Sequence, residues 1–190
     1  MSTDVNNVLI NADKRLFYLS DDVDDATIGK MCFNLLYILQ QDDEEEASKV
    51  GFERKPIRIY INSGGGEIYA MWSLIDIMLH SKTPIYTYCT GYAMSAALQI
   101  YLAGHKRFAS KHSRFMYHEM SCVRWGKYQD FVEDRDELDY SQREIEHYVV
   151  ERTKFTKEQL EEIRKTKRDI NIHIDDAIRL GIVHEIIREV

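Results

Sequence analysis

The sequence predicts an α/β fold on a mainly parallel sheet, and three observations predict it. Two short alternating runs, Ile57 to Ile61 (IRIYI) and Ile85 to Cys89 (IYTYC), have the period of half-buried strands. Each is followed by a glycine-bearing stretch and then by apolar residues at helical spacing. Strand, turn and helix twice in succession require right-handed crossovers, and these leave the strands parallel. The third observation is the long charged segment Tyr128 to Arg152, which carries Phe131, Leu138, Ile145 and Val149 on its apolar side. It bears more charge than a core helix needs and is expected to protrude.

The elements follow in order. A chain of 190 residues fits one domain spanning 1–190. Residues 1–14 form a short, flexible amino-terminal segment, and about 127–152 form the long helix. Arg15 to Leu19 (RLFYL) reads as the first strand. Asp24 or Asp25 caps a helix whose apolar stripe is Ile28, Met31, Cys32, Leu35, Leu36 and Leu39. The acidic run Asp42 to Glu46 reads as a solvated loop. Pro56 and Pro84 each precede a β run, Ile68 to Leu79 is helical, and a second helix opens after Gly91. Short β segments are expected near Arg107 to Ala109 and Arg114 to His118. Thr156 and Gln159 have the spacing of a capping box for a helix through Leu160 and Ile163. Repeats and low-complexity stretches are absent.

Composition narrows the function classes. The 44% hydrophobic and 11% aromatic content is that of a packed globule. A net charge of −7 argues against a nucleic-acid surface. Cys32, Cys89 and Cys122 are odd in number, far apart and in no CxxC spacing, so they read as reduced thiols without a zinc site. A basic region ahead of an apolar core is missing at the start, as is any run of about 18 apolar residues. The expectation is a cytoplasmic protein with no membrane contact, no metal and no nucleic acid.

Three places carry chemistry. In GYAMSAALQIYLAG (Gly91 to Gly104), Ser95 is a lone hydroxyl at a helix start, flanked by Ala93, Ala96 and Ala97. The turn and its free N–H groups favour developing negative charge. On residues alone, a helix-capping serine and a nucleophile are equal readings. Asn62-Ser63-Gly64-Gly65-Gly66 leaves backbone N–H groups unshielded at the end of a parallel strand, suited to an oxyanion hole. Glu67 and Ile68 stand where a phosphate loop needs Lys and Ser/Thr, so phosphate is disfavoured. Of seven histidines, His118 at the end of RFMYH leaves a β run, whereas His105, His112 and His147 sit in charged loop or helix contexts.

Together these residues resemble the proteolytic subunit of the Clp protease. Its hallmarks are a strand ending in Asn-Ser-Pro-Gly-Gly, a Gly-x-Ala-x-Ser nucleophile turn, a strand ending in Met-x-His, and a later Arg-Asp. Here they stand as NSGGG (62–66), GYAMS (91–95), FMYH (115–118) and KRD (167–169), with AGHKRF (103–108) and AIRLGIV (177–183) also similar. The resemblance implies a ClpP/crotonase-like fold of repeated β-β-α units. It implies Ser95 as nucleophile, His118 as general base and then acid, and Asp169 as the carboxylate orienting the imidazole. The backbone N–H groups of Gly66 and Ala96 would form the oxyanion hole, and Gly65, Glu67 and Ile68 would bind the substrate strand. Asp175 and Asp176 also compete for the carboxylate role, and family order favours Asp169. Arg168 would contact a neighbouring subunit. The chain departs from the pattern at Gly64, where the family has proline, at Glu119-Met120, where it has Gln-Pro, and at Lys167, where it has an acid.

The implied activity is a serine endopeptidase acting on unfolded or short polypeptides inside a homo-oligomer, a heptamer or tetradecamer. No cofactor is needed; ATP would enter only through a partner unfoldase, whose docking the short amino-terminal segment disfavours. Rival readings are a non-catalytic ring subunit, a viral prohead-type protease of the same fold, and an acyl-CoA enzyme of the crotonase kind.

Overall fold

The computed structural model describes residues 8–122 and 127–188, without the side chains of 8, 128 and 130–134. Phe131 and Trp125 therefore lie outside the described side chains.

Among the described residues, eight strands form one sheet. In chain order they are β1 Val8–Asn11, β2 Leu16–Leu19, β3 Ile57–Ser63, β4 Ile85–Met94, β5 Lys106–Ala109, β6 Arg114–Tyr117, β7 Ile170–Ile172 and β8 Glu185–Ile186. The helices are α1 Asp25–Ser48, α2 Ile68–His80, α3 Ala96–Leu102, α4 Tyr128–Arg152, α5 Lys157–Thr166 and α6 Ile174–Arg179. The path runs β1-β2-β3-β4-β5-β8, with β6 pairing β4 and β7 pairing β6. The β1·β2 and β6·β7 pairs are antiparallel and every other pair is parallel, as the βα units require.

Alternation fixes the register. Ile57, Ile59 and Ile61 of β3 are fully buried while Arg58 and Tyr60 face the other way. A slip of one residue would put Arg58 and Tyr60 inside and forfeit about 1.5–3 kcal/mol for each isoleucine exposed. On the opposite face Tyr60, Tyr88 and Phe108 stack across β3, β4 and β5, with ring centroids 4.7 Å apart at each step.

Strand β4 positions the site. Its first half, Tyr86 to Cys89, pairs with β5, and its last part, Tyr92 to Met94, pairs with β6. The strand thus serves two neighbours in succession. The expected turn at Gly91 is absent: β4 continues through it, and Asn62 Oδ1 accepts from Tyr92 N (3.2 Å). The chain reverses at Ser95 instead.

Other expectations need correction. Part of the segment expected to be flexible, Val8–Asn11, is strand β1, paired with β2. A tight turn closes that hairpin: Asn11 Oδ1 accepts from Lys14 N (3.0 Å), and Arg15 N donates to Ala12 O (2.9 Å). The acidic run is the last part of α1, not a loop. Asp42 is buried because Arg15 and Thr83 reach it from distant parts of the chain; Arg15 NH1 donates at 2.9 Å and Thr83 Oγ1 at 2.6 Å. Burial works to raise its pKa, but these hydrogen bonds and the charges of Arg15 and Arg54 outweigh burial and hold it below the usual 3.8. Leu36 leaves the expected stripe and is exposed. Asp24 is the α1 cap, its side chain accepting from Thr27 N (2.7 Å). The capping box at Thr156 and Gln159 forms as the spacing requires. His173 occupies the N-cap position of the last helix without a side-chain capping bond, and Asp175 and Asp176 lie in its first turn.

Arg107 ties the base of α4 to the body. Its buried guanidinium donates to Ile182 O (2.8 Å), Leu102 O (3.1 Å), Arg152 O (3.0 Å) and Gly181 O (2.7 Å). Burial, then the nearby Arg152 charge, pulls its pKa down to about 10, so it remains charged at neutral pH.

Candidate active site

The site lies at the carboxyl ends of β3, β4 and β6. Ser95 sits between β4 and α3 with φ 52° and ψ −126°, a left-handed conformation that an L-residue adopts at a cost of order 1–3 kcal/mol. Its N–H donates to Met116 O (3.0 Å), which extends the β4·β6 ladder into the turn. Although Ser95 occupies the N-cap of α3, its side chain makes no capping hydrogen bond. The hydroxyl meets His118 Nε2 at 2.8 Å instead. With the imidazole proton on Nδ1, the Ser95 hydroxyl donates to Nε2, as a serine awaiting deprotonation must.

His118 is the first residue beyond β6. The β6·β7 register pairs Tyr117 with Ile170, so Asp169 stands one step further, across from His118. Asp169 is exposed, and among the described residues no hydrogen bond joins it to His118. Ser95 and His118 are therefore together at rest, while Asp169 is adjacent and makes no hydrogen bond to His118 among the described residues.

The glycine stretch curls beneath Ser95. Val23 N donates to Gly65 O (2.9 Å) and Glu67 N donates to Val23 O (2.7 Å). These flanking bonds both turn toward Val23, so by the alternation of a parallel bridge the Gly66 amide faces the other way. Gly65 has φ +102°, and a Cβ there would stand 2.8 Å from Ala96 N and from Ser95 Cβ. The bare α-carbon keeps the Ala96 amide uncovered.

A cavity of about 70 Å³ adjoins these groups, lined by Ser95, His118, Gly66, Ala96, Ile68 and Gln99 with the side chains of Met71, Met120, Ser121 and Ile145. Its outer wall is braced. Met120 N donates to Gln142 Oε1 (2.9 Å), Gln142 Nε2 to Glu146 Oε1 (3.0 Å), and Arg164 pairs with Glu146 (3.3 Å). Among the described residues no cluster of His, Cys, Asp and Glu could hold a metal.

The Clp protease family matches residues 2–190 of the sequence. The chain belongs to that family. It is 29% identical over 175 residues to the ATP-dependent Clp protease proteolytic subunit 1 of Shouchella clausii, covering 91% of this chain and 84% of that protein. It is 30% identical over 173 residues to the subunit of the same description from Prochlorococcus marinus, covering 90% and 82%. A solved structure, a point mutant of ClpP1 from Listeria monocytogenes, superposes with a TM-score of 0.78 at 25% identity and covers 94% of both chains.

Within this Clp family member, the fold brings Ser95, His118, Gly66, Ala96 and Ile68 around one cavity, with Gly65 behind it. Glu67 is the exposed N-cap of α2 and lies outside the lining. Arg168 is exposed, with no ion pair among the described residues. Sequence reasoning missed Gln99, Met71, Met120, Ser121 and Ile145. Gln99 had a legible signal: it is the one polar residue in AALQIYL, a helix in which every residue is buried, and it follows Ser95 by one turn.

Proposed function

We propose that this chain is a serine endopeptidase that cleaves unfolded or short polypeptides through an acyl-enzyme. The observation that carries the proposal is the Ser95 hydroxyl: it occupies a helix cap, declines the capping bond and meets His118 Nε2 at 2.8 Å. Membership of the Clp protease family supports the same reading.

The steps follow from the geometry. Ser95 Oγ attacks the peptide carbonyl carbon as its proton passes to His118 Nε2. The carbonyl oxygen takes up negative charge facing the amides of Gly66 and Ala96, each worth about 3 kcal/mol if aligned. His118 then gives its proton to the leaving amine, and the acyl-enzyme forms. Water, deprotonated by His118, reverses the chemistry and frees Ser95. Asp169 orients the imidazole after swinging inward, a short movement because opposed antiparallel residues have Cα atoms about 4.5–5.5 Å apart. No step calls for a cofactor. The unengaged Asp169 is also what a non-catalytic ring subunit would show, and activity decides between the two.

The enzyme works as a cytoplasmic homo-oligomer, in heptameric rings by analogy with the family, whose enclosed space admits only extended chains. Phe33, Leu36 and Tyr37, at helical spacing on the outer side of α1, are 73%, 52% and 52% exposed, an apolar strip suited to a neighbouring subunit. Arg168, exposed and without an ion pair among the described residues, suits a contact between subunits, and Gly65 and Ile68 would flank the path of the bound strand. An ATP-driven unfoldase would act only as a separate partner.

A fluorophosphonate probe tests the proposal. The wild-type protein is expected to gain one covalent adduct at Ser95, absent in Ser95→Ala, and an unlabelled wild type would favour the scaffold.

A further inference from the structure

Segment 119–122 follows His118 directly and supplies Met120 and Ser121 to the wall of the cavity beside Ser95. It belongs to no strand or helix. Among the described residues, one hydrogen bond ties this segment to the rest of the chain: Met120 N donates to Gln142 Oε1 (2.9 Å). That side of the cavity therefore hangs on a side chain of α4.

The Gln142 amide can serve only one way round. A backbone N–H only donates and an ionised carboxylate only accepts, so the amide must turn its oxygen to Met120 and its nitrogen to Glu146. It does so: Nε2 donates to Glu146 Oε1 (3.0 Å), and Arg164 Nε of α5 reaches the same oxygen (3.3 Å). Gln142 and Glu146 lie one turn apart on α4 and are each 6% exposed. Water offers little substitute there, and a buried group that loses its partner is penalised. A carboxylate at position 142 would oppose Glu146, an ammonium would oppose the Met120 N–H, and an apolar side chain would satisfy neither. Where this chain has Met120 the family has proline, which lacks an N–H. The methionine adds a donor, and Gln142 accepts it.

We propose that Gln142 is a positioning residue for peptide binding: its amide holds segment 119–122 in place as the cavity wall, and Glu146 with Arg164 holds the amide. This rests on the peptidase reading above. The contact between Ser95 and His118 does not depend on it, because the β4·β6 pairing and the bond from Ser95 N to Met116 O hold the strand ends that carry them. A released wall must be ordered again by each arriving peptide, so the loss falls on binding and not on the attack.

The test compares the full-length wild type with Gln142→Met, which satisfies neither neighbour, and with Gln142→Asn, which keeps the amide but is one carbon too short to span both. A third variant is the swap Gln142→Glu/Glu146→Gln. In the swap the carboxylate at position 142 accepts from Met120 N and from the amide at position 146, whose oxygen faces Arg164, so every contact is remade at the same net charge. Two readouts are taken: the rate of fluorophosphonate labelling at Ser95, and KM and kcat for a fluorogenic peptide, with kcat counted per labelled site. Gln142→Met and Gln142→Asn are each expected to label at the wild-type rate and to keep kcat within about twofold, while KM rises about tenfold. The swap is expected to bring KM back to within about threefold of wild type. Counting per labelled site keeps loss of folded protein from mimicking this pattern, and Gln142→Asn carries the test if Gln142→Met does not fold. With a labelled wild type, an unchanged KM in the single variants, a fall in labelling and kcat without a rise in KM, or a swap with KM as high as theirs overturns the role of Gln142 alone. A wild type that takes no fluorophosphonate overturns the peptidase reading and this one with it.

Discussion

Gly65→Ala separates catalysis from folding with a single methyl group. The new Cβ would lie 2.7 Å from Met94 O, 2.8 Å from Ala96 N and 2.8 Å from Ser95 Cβ. Two of these neighbours are backbone and the third is the Ser95 Cβ, so none yields as the end of a flexible side chain would. The residue also keeps φ +102°, which costs an alanine about 1–2 kcal/mol of stability. The catalytic cost is larger. The methyl covers the Ala96 amide, and loss of one oxyanion donor lowers kcat by about 10²–10³-fold, equivalent to about 2.7–4 kcal/mol. Gly64→Ala is the control, since nothing lies within 4 Å of a Cβ there and its φ is not in the positive range. Peptide hydrolysis is measured beside thermal unfolding for both variants. The expected result is Gly64→Ala near wild type in both, and Gly65→Ala clearly less stable, since the clash adds to the φ cost, and hundreds-fold slower per folded molecule. Equal rates in the two variants, or a Gly65→Ala loss accounted for by the folded fraction, would refute the assignment of the Ala96 amide.

Further expectations concern the acid, the buried arginine and the buried aspartate. Asp169→Asn is expected to lower kcat by about 10²–10⁴-fold with little change in melting temperature; a change within twofold would leave Ser95 and His118 working as a dyad. Arg107→Leu removes its hydrogen bonds to four carbonyls, of which Leu102 O keeps Arg152 Nε (3.0 Å), and is expected to cost about 3 kcal/mol or more in chemical unfolding, whereas a loss under 1 kcal/mol would refute its role as a tie. The Asp42 carboxyl is held below its usual 3.8, so its contribution is complete above that pH and is lost as pH falls through the lower folded value. The urea midpoint of the wild type should therefore fall between pH 5 and pH 2.5 more than that of Asp42→Asn, and parallel curves would refute the linkage.

What could be read from the chain, and what could not, divides by the range of the interaction. The strands β3 and β4, the helix after each and the capping box at Thr156 depend on neighbours a few residues apart, and alternation or spacing exposes them. Ser95 and His118 could be nominated because each follows a β run, but only the β4·β6 pairing accounts for their meeting. The acidic run misled because its burial depends on Arg15 and Thr83, far away in sequence. Leu36 misled because an apolar residue on a helix is equally suited to a core and to a partner. Asp169 sits where family order puts it, across from His118, but whether its carboxylate turns inward depends on a rotamer no spacing rule encodes. Gln99 was overlooked because apolar neighbours made its helix look like ordinary packing.

Val23 gives the front of the chain a stake in the chemistry. The valine, almost completely buried, holds the peptide groups on either side of Gly66 through its own N–H and carbonyl, much as a clamp fixes a workpiece. Damage there, whether a nick or a swap that shifts the backbone by an ångström, lets go of the Gly66 amide without touching Ser95 or His118. On the proposed mechanism, shortened versions of this protein should therefore be judged by turnover as well as by folding, because a folded chain can still have lost the position of the Gly66 amide.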